Sequence, residues 1–204
     1  MRPVKLVMQG FFAYRDRTEV DFDGVDLFAL SGPTGAGKST VVDAICMALY
    51  GSVPRYDNKA LIAPAISQGL NEATVSLDFL VENVPYTAVR VIRRTPAGGA
   101  ATKEARLESR GEVLASGGPE LTERVVALLG LSFEHFTRCV VLPQGRFAEF
   151  LHDKPKDRQE LLKTLLDITV YERVASAARD RARDAKTRAA TANERLVELA
   201  SATP

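Results

Sequence analysis

Val4, Leu6 and Met8 are interleaved with Lys5, Val7 and Gln9, the two-residue period of a strand with one buried face. A turn region, Gly10 to Arg17, leads to a second strand around Thr18 to Phe22, and Asp23-Gly24 marks the next turn. These two segments are expected to form an antiparallel layer beside a parallel sheet. The mostly apolar run Val25-Asp26-Leu27-Phe28-Ala29-Leu30 reads as a buried parallel strand of that sheet. After it, Val41, Val42, Ala44, Ile45, Ala48 and Leu49 recur at helical spacing, and Gly51 is a natural stop. Ser52 to Leu70 shows no period and reads as irregular. From Ala73 alternation returns, with Val75, Leu77, Phe79 and Val81 facing one way and Ser76 and Asp78 the other. Tyr86 to Thr95 forms a further strand broken at Pro96-Ala97-Gly98-Gly99, and Lys103 to Leu114, bending at Gly111, suits a hairpin. This block reads as an antiparallel meander added to an α/β core.

A helix follows with Pro119 in its first turn, Leu121, Val125, Leu128 and Leu129 on one face, and Gly130 at its end. Ser132 suits the N-cap of a short helix carrying Phe133 and Phe136. Cys139-Val140-Val141-Leu142 reads as a compact apolar strand ended by Pro143, with Gln144-Gly145 at its exit, where ligands of open α/β sheets collect. After Pro155 the pattern is helical. From Ala178 the residues Ala178, Ala182, Ala185, Ala189, Ala192, Leu196 and Leu199 are spaced by alternating fours and threes, a coiled-coil seam. A long helix packing one face on its own domain would show the same pattern. Residues 171 to 195 carry seven Lys or Arg against four Asp or Glu, a solvated face that would also suit DNA. Two domains are expected, 1–170 as a nucleotide-binding lobe and 171–204 as the start of the coil.

The chemistry concentrates at Gly32-Pro33-Thr34-Gly35-Ala36-Gly37-Lys38-Ser39, a G-x-x-x-x-G-K-[ST] phosphate-binding loop between the predicted strand and helix. Its glycines allow successive backbone N–H groups to turn around an anion. Lys38 brings charge to the β/γ-phosphates, the Ser39 hydroxyl can ligate Mg²⁺, and the following helix presents the positive end of its dipole. Arg15 and Arg17, in the connection before the loop, either reach a bound nucleotide or sit in a solvated turn. Arg90, Arg93 and Arg94 in the meander either contact DNA phosphates or serve as solvated strand charge, the commoner role.

Composition narrows the class. In 204 residues, 46% hydrophobic and 26% charged, no apolar run reaches transmembrane length, so no membrane association is expected. Met1-Arg2-Pro3 opens directly into a strand pattern, so no signal peptide is expected and the protein is placed in the cytoplasm. The two cysteines, Cys46 and Cys139, lie in apolar stretches and read as reduced core thiols. A net charge of +1 requires any nucleic-acid surface to be a local patch. His135 and His152 stand alone, so neither His-metal nor Ser-His chemistry has support.

Three segments together carry a resemblance. They are Ser31 to Thr40 with the helix ending Ala48-Leu49-Tyr50-Gly51, then Val141-Leu142-Pro143-Gln144-Gly145-Arg146-Phe147-Ala148-Glu149-Phe150-Leu151, then Lys154 to Leu162. The chain resembles the N-terminal half of the ATPase head of the SbcC family, within the SMC-like ABC-type ATPases. That resemblance implies an α/β P-loop head half, a mixed sheet with an antiparallel meander, extended by a C-terminal coiled-coil helix. It implies ATP and Mg²⁺ as cofactors, held by Gly32, Pro33, Thr34, Gly35, Ala36, Gly37, Lys38, Ser39 and Thr40, with Gln144 completing Mg²⁺ coordination beside Ser39. By spacing alone it points at Ser67 and Gln68 beside the adenine. Lys38 would be the only catalytic contributor in this half, because no apolar run ending in Asp-Glu follows Gln144.

The implied partners are the C-terminal half of the same protein, a second head copy in a homodimer, an SbcD-type nuclease subunit, and double-stranded DNA ends or hairpins near the nucleoid. A structural DNA tether of the SMC, RecF or RecN kind fits the loop and coil equally, and only Pro143 to Leu151 favours the nuclease complex. A stand-alone kinase or GTPase is disfavoured: Asn58-Lys59-Ala60-Leu61 is no guanine reader, and the one Asp-x-x-Gly, Asp21 to Gly24, precedes the loop.

Overall fold

The computed structural model describes residues 1–56, 62–141 and 169–201. The chain divides into two units, Met1–His152 and Asp153–Pro204. In the first, β1 (Arg2–Gln9), β2 (Thr18–Asp21), β3 (Glu72–Val81), β4 (Val84–Arg94), β5 (Ala100–Ser109) and β6 (Glu112–Ser116) form one sheet in the order β2-β1-β3-β4-β5-β6. Every pairing in it is antiparallel. The β3–β4 connection is tight, with positive φ at Glu82 and Asn83, and Arg110-Gly111 does the same between β5 and β6. Two consecutive positive φ values give the turn whose twist matches that of the strands it joins.

One sheet face is covered by α1 (Lys38–Tyr50), which packs on β3 and β4, and α2 (Gly118–Leu129), which packs on β5 and β6. The strand period places Leu6, Met8, Val75, Leu77, Phe79, Ala88 and Leu107 in the core, and the helices answer with Ala44, Ala48, Leu49, Leu121 and Val125. Each large aliphatic or Phe side chain so buried contributes roughly 1.5–3 kcal/mol. α1 stops at Gly51, which takes φ 69° and returns its N–H to the Met47 carbonyl at 2.9 Å. α3 (Phe133–Cys139) starts at Ser132, whose Oγ accepts the His135 N–H at 3.3 Å. The Tyr50 hydroxyl, donating to the Leu131 carbonyl at 3.0 Å, ties α1 to the start of α3.

Two predicted strands are not formed. Residues 25–30 pair with no strand among the described residues, and their apolar side chains are exposed, Leu27 at 91% and Phe28 at 48%. A strand exists only through paired neighbours, and β1 already has β2 on one side and β3 on the other. Residues 25–30 take neither free edge of the sheet, at β2 or at β6, and every pairing in the described sheet is antiparallel. The strand expected at Cys139 is also replaced. α3 runs through Cys139, and the N–H groups of Val140 and Val141 still point back to the Phe136 carbonyl, at 3.0 and 2.9 Å. The segment from Leu142, with Gln144 and the helix after Pro155, lies outside the described residues.

The second unit contains α4 (Thr169–Ser201), a helix of 33 residues that carries the alternating four-three spacing of small and apolar positions. Tyr171, Val174, Leu196, Val197 and Leu199 are exposed along it. None of the helices among the described residues is long and apolar enough to cross a membrane.

Candidate functional site: a phosphate loop at the head of α1

The loop residues turn the chain from the irregular segment 25–31 into α1. Gly32, Gly35 and Gly37 adopt φ of 150°, 86° and 89°. Gly37 is the N-cap of α1 and supplies no side chain to the first-turn N–H groups, so these donors must be met from outside the helix. An anion answers both those donors and the helix dipole. Thr40 closes the first turn, its N–H donating to the Gly37 carbonyl at 2.9 Å. The Lys38 ammonium folds across the loop and donates to the carbonyls of Gly32 and Pro33, both at 2.8 Å. Lys38 and the exposed Ser39 both line the cleft at this loop.

Around this loop lies a cleft of about 660 Å³, lined by Thr34, Gly35, Gly37, Lys38, Ser39 and Thr40 on one side. Phe12, Ala13, Arg55, Pro64, Ile66, Ser67 and Gln68 form the rest of its wall. Its volume falls within the range of small-molecule sites, and its lining combines a phosphate-type nest with an apolar, aromatic wall. The donor set fits a nucleotide: backbone N–H groups and an ammonium for the phosphates, and the apolar side chains of Phe12, Pro64 and Ile66 for a base. For Mg²⁺ the described residues offer the Ser39 hydroxyl, and they contain no group of three His, Cys, Asp or Glu side chains able to hold a metal.

Several wall residues escaped the sequence reading. Arg55 pairs with Asp43, which is buried within α1, and its guanidinium lies 4.1 Å from the centroid of the Phe12 ring. Burial pushes the Asp43 carboxyl above the usual carboxylate range, and Arg55 opposes that shift. The available signal was Asp43 itself, a carboxylate amid the apolar positions of α1 that required a buried partner. Phe12 has φ 48°, held by its N–H to the Ala65 carbonyl and by the Ser67 hydroxyl donating to its own carbonyl, both at 2.8 Å.

The other predicted residues fall as follows. Ser67 and Gln68 line the cleft, but the Ser67 hydroxyl is committed to Phe12. Arg15 donates to the Gln68 carbonyl and Arg17 pairs with Glu19; neither lines the cleft. Arg90 is a correction. It is 2% exposed, which rules out both a DNA-facing and a solvated strand position. Its Nε donates to the Ala48 carbonyl at 3.0 Å, Nη1 to Gly118 O at 3.2 Å, and Nη2 to Leu49 O at 3.1 Å and Thr122 Oγ1 at 2.8 Å. Desolvation lowers its pKa to about 10, so it stays charged at neutral pH, at the negative end of the α1 dipole. Arg94 donates to the carbonyls of Leu70 and Ile66, both at 3.0 Å, and Arg93 is exposed in an ion pair with Glu72 at 2.7 Å. Cys46 is buried, which pushes its thiol well up and leaves it unreactive.

The chain is similar to known proteins over most of its length. The family described as AAA domain matches residues 5–202. The SbcC subunit of the nuclease SbcCD from Deinococcus radiodurans is 41% identical over 189 residues, covering 91% of this chain and 21% of that protein. Its Bacillus subtilis counterpart is 36% identical over 208 residues, covering 97% of this chain and 18% of that protein. The probable DNA double-strand break repair Rad50 ATPase of Aquifex aeolicus is 34% identical over 178 residues, with 87% and 18% covered. The chain therefore spans about a fifth of the length of these relatives. A solved structure from work on ATP-driven dimerization and DNA-stimulated activation of SMC ATPases superposes with a TM-score of 0.56. That match has 20% identity and covers 81% of this chain and 99% of the other, a likeness of fold. With a phosphate loop heading α1 beneath an antiparallel sheet, and with SbcC and Rad50 among the proteins it is similar to, this chain belongs to the AAA-domain family.

Proposed function

We propose that the chain binds ATP with Mg²⁺ and forms half of the ATPase head of a DNA-end-processing complex. The observation carrying this reading is the positive-φ glycine loop at the head of α1, with Lys38 drawn across it at the mouth of the cleft. When bound, the nucleotide supplies the phosphoryl group to be transferred. This chain's part is positioning and charge neutralisation, by Lys38, by the first-turn N–H groups of α1 and by the Ser39 hydroxyl on the metal. On the resemblance alone, Gln144 adds an amide oxygen to that metal. The base of the attacking water and the signature motif come from the C-terminal half of the head, so this chain alone turns over negligibly.

In the full assembly two heads close around ATP and reopen on hydrolysis, gating an SbcD-type nuclease at double-stranded DNA ends or hairpins. Residues 171–204 act as the start of the coil, and Arg93 is the meander arginine available to a DNA phosphate. The relatives' names, which place them in the nuclease SbcCD, favour this over a tether without a nuclease. Calorimetric titration of ATP with Mg²⁺ into the chain and into Lys38→Ala tests the binding. Saturable binding that the variant loses is expected; equal heats from both would refute it. Turnover by the 204-residue chain alone, abolished in Lys38→Ala, would overturn the half-site assignment. Co-purification of a nuclease with the full-length protein separates the complex from the tether.

A further inference from the structure

We infer that Tyr14 is a positioning residue of the phosphate loop, locking Gly37 in the left-handed conformation on which the site depends. This rests on the proposed nucleotide site. The Tyr14 hydroxyl donates to the Gly37 carbonyl at 3.3 Å, the same oxygen that takes the Thr40 N–H and so begins α1. The ring lies against the bare α-carbon: a Cβ on Gly37 would meet Tyr14 Cε2, Cζ and Oη at 3.1, 3.2 and 3.2 Å. Gly37 is therefore required twice, by its φ of 89° and by the ring beside it.

Glycine left to itself samples both signs of φ and gives up more freedom than any other residue when fixed. An external clamp fixes it before ligand arrives, and Tyr14 is built as one. Its backbone exchanges two hydrogen bonds with Phe11, both at 2.9 Å, and the Phe11 side chain is fully buried in the core. The adjacent Phe12 is pinned through its N–H by Ala65 and through its carbonyl by Ser67. The turn 11–14 thus couples core, cleft wall and phosphate loop. Tyr14 itself is not part of the cleft lining, so its effect on a ligand passes through Gly37.

The test titrates the 204-residue chain and its variants with ATP and with inorganic tripolyphosphate, each with Mg²⁺, and follows amide exchange at Thr40, whose N–H is bonded to the Gly37 carbonyl, without ligand. Tyr14→Ala should weaken both ligands about tenfold, equivalent to about 1.4 kcal/mol, the scale of fixing one backbone residue. Tyr14→Phe, which keeps the ring, should stay within about twofold of wild type on the same scale. Exchange at Thr40 should quicken in Tyr14→Ala while that of β3 and β4 is unchanged. Loss of ATP affinity with tripolyphosphate binding intact would overturn the inference, because it would place Tyr14 at the base. Equal affinities and unchanged exchange in Tyr14→Ala would also overturn it. Should Tyr14→Ala fail to fold, Tyr14→Leu replaces it, and Leu binding both ligands as well as Phe counts against the inference. Failure of the wild-type chain to bind either ligand refutes the nucleotide reading instead, and the exchange measurement still decides whether Tyr14 holds the loop.

Discussion

Replacing Arg90 by methionine keeps an unbranched stem that ends two atoms short of the guanidinium tip, and removes its charge and its donors. Four hydrogen bonds go with them: to the carbonyls of Ala48, Leu49 and Gly118 and to the Thr122 hydroxyl. Ala48 and Leu49 lie in the last turn of α1, where carbonyls have no donor within the helix. Summing charge-assisted bonds at roughly 1.5–3 kcal/mol each would overstate the loss, because the buried guanidinium also carries its own desolvation penalty. Breaking one side of such a buried network typically costs about 3–5 kcal/mol. For a chain of this size that lowers the melting midpoint by roughly 10 °C. Arg90→Lys restores a charge without the planar fork, so it should recover only part of the loss. Urea unfolding curves and thermal melts of wild type and both variants measure this. A change below about 1 kcal/mol in Arg90→Met, or full recovery in Arg90→Lys, would refute the claim that this guanidinium closes the end of the phosphate-loop helix.

Gly51 faces the same group, with φ 69° and a would-be Cβ 3.0 Å from Arg90 Nη1. Gly51→Ala should cost about 2 kcal/mol in urea, and combined with Arg90→Met should cost less than the sum, since the clash goes with the guanidinium. Burial holds the Asp43 carboxyl above its ordinary 3.8, so the folded chain keeps this proton to higher pH than the unfolded chain. The contribution of Asp43 is thus fully present below the unfolded value and declines as pH rises through the folded one. The difference in urea midpoint, wild type minus Asp43→Asn, should accordingly fall as pH rises from about 4; a growing difference would contradict it. Arg93→Ala removes only an exposed ion pair with Glu72 and should shift stability by less than about 1 kcal/mol in the same assay.

The elements legible from the sequence were those whose pattern is local. Leu6 and Met8, Val75 through Phe79, and the glycines at 51, 111 and 130 each announce an element through their own neighbours, and the structure contains those elements. Residues 25–30 and 139–141 have equally apolar local patterns, but a strand also needs a partner backbone, which no reading of one segment supplies. Arg90 failed for the same reason. In sequence it is a charge between Val89 and Val91, but the odd-even register of β4 turns it, with Ala88 and Ile92, toward the helices. The alternation of Ala88, Arg90 and Ile92 was readable as one buried face, and it implied that the arginine carried its own partners inward.

The site divides along the same line. A phosphate loop is local chemistry: its glycines, Lys38 and Ser39 lie within eight residues, so the motif can be read without the fold. What holds it in shape is not local. Gly37 is met by Tyr14 from 23 residues away, and Phe12 is anchored by Ser67 from 55 residues away. Arg55 reaches back to Asp43 across the end of α1. Of these pairs only Asp43–Arg55 leaves a signal in the sequence, the carboxylate among the apolar positions of α1; the other two require only that distant loops be brought together by the fold. A second chain could carry the same eight loop residues without the turn at 11–14. It should then show the motif but bind phosphate more weakly, since the backbone order of Gly37 would have to be established by the ligand itself.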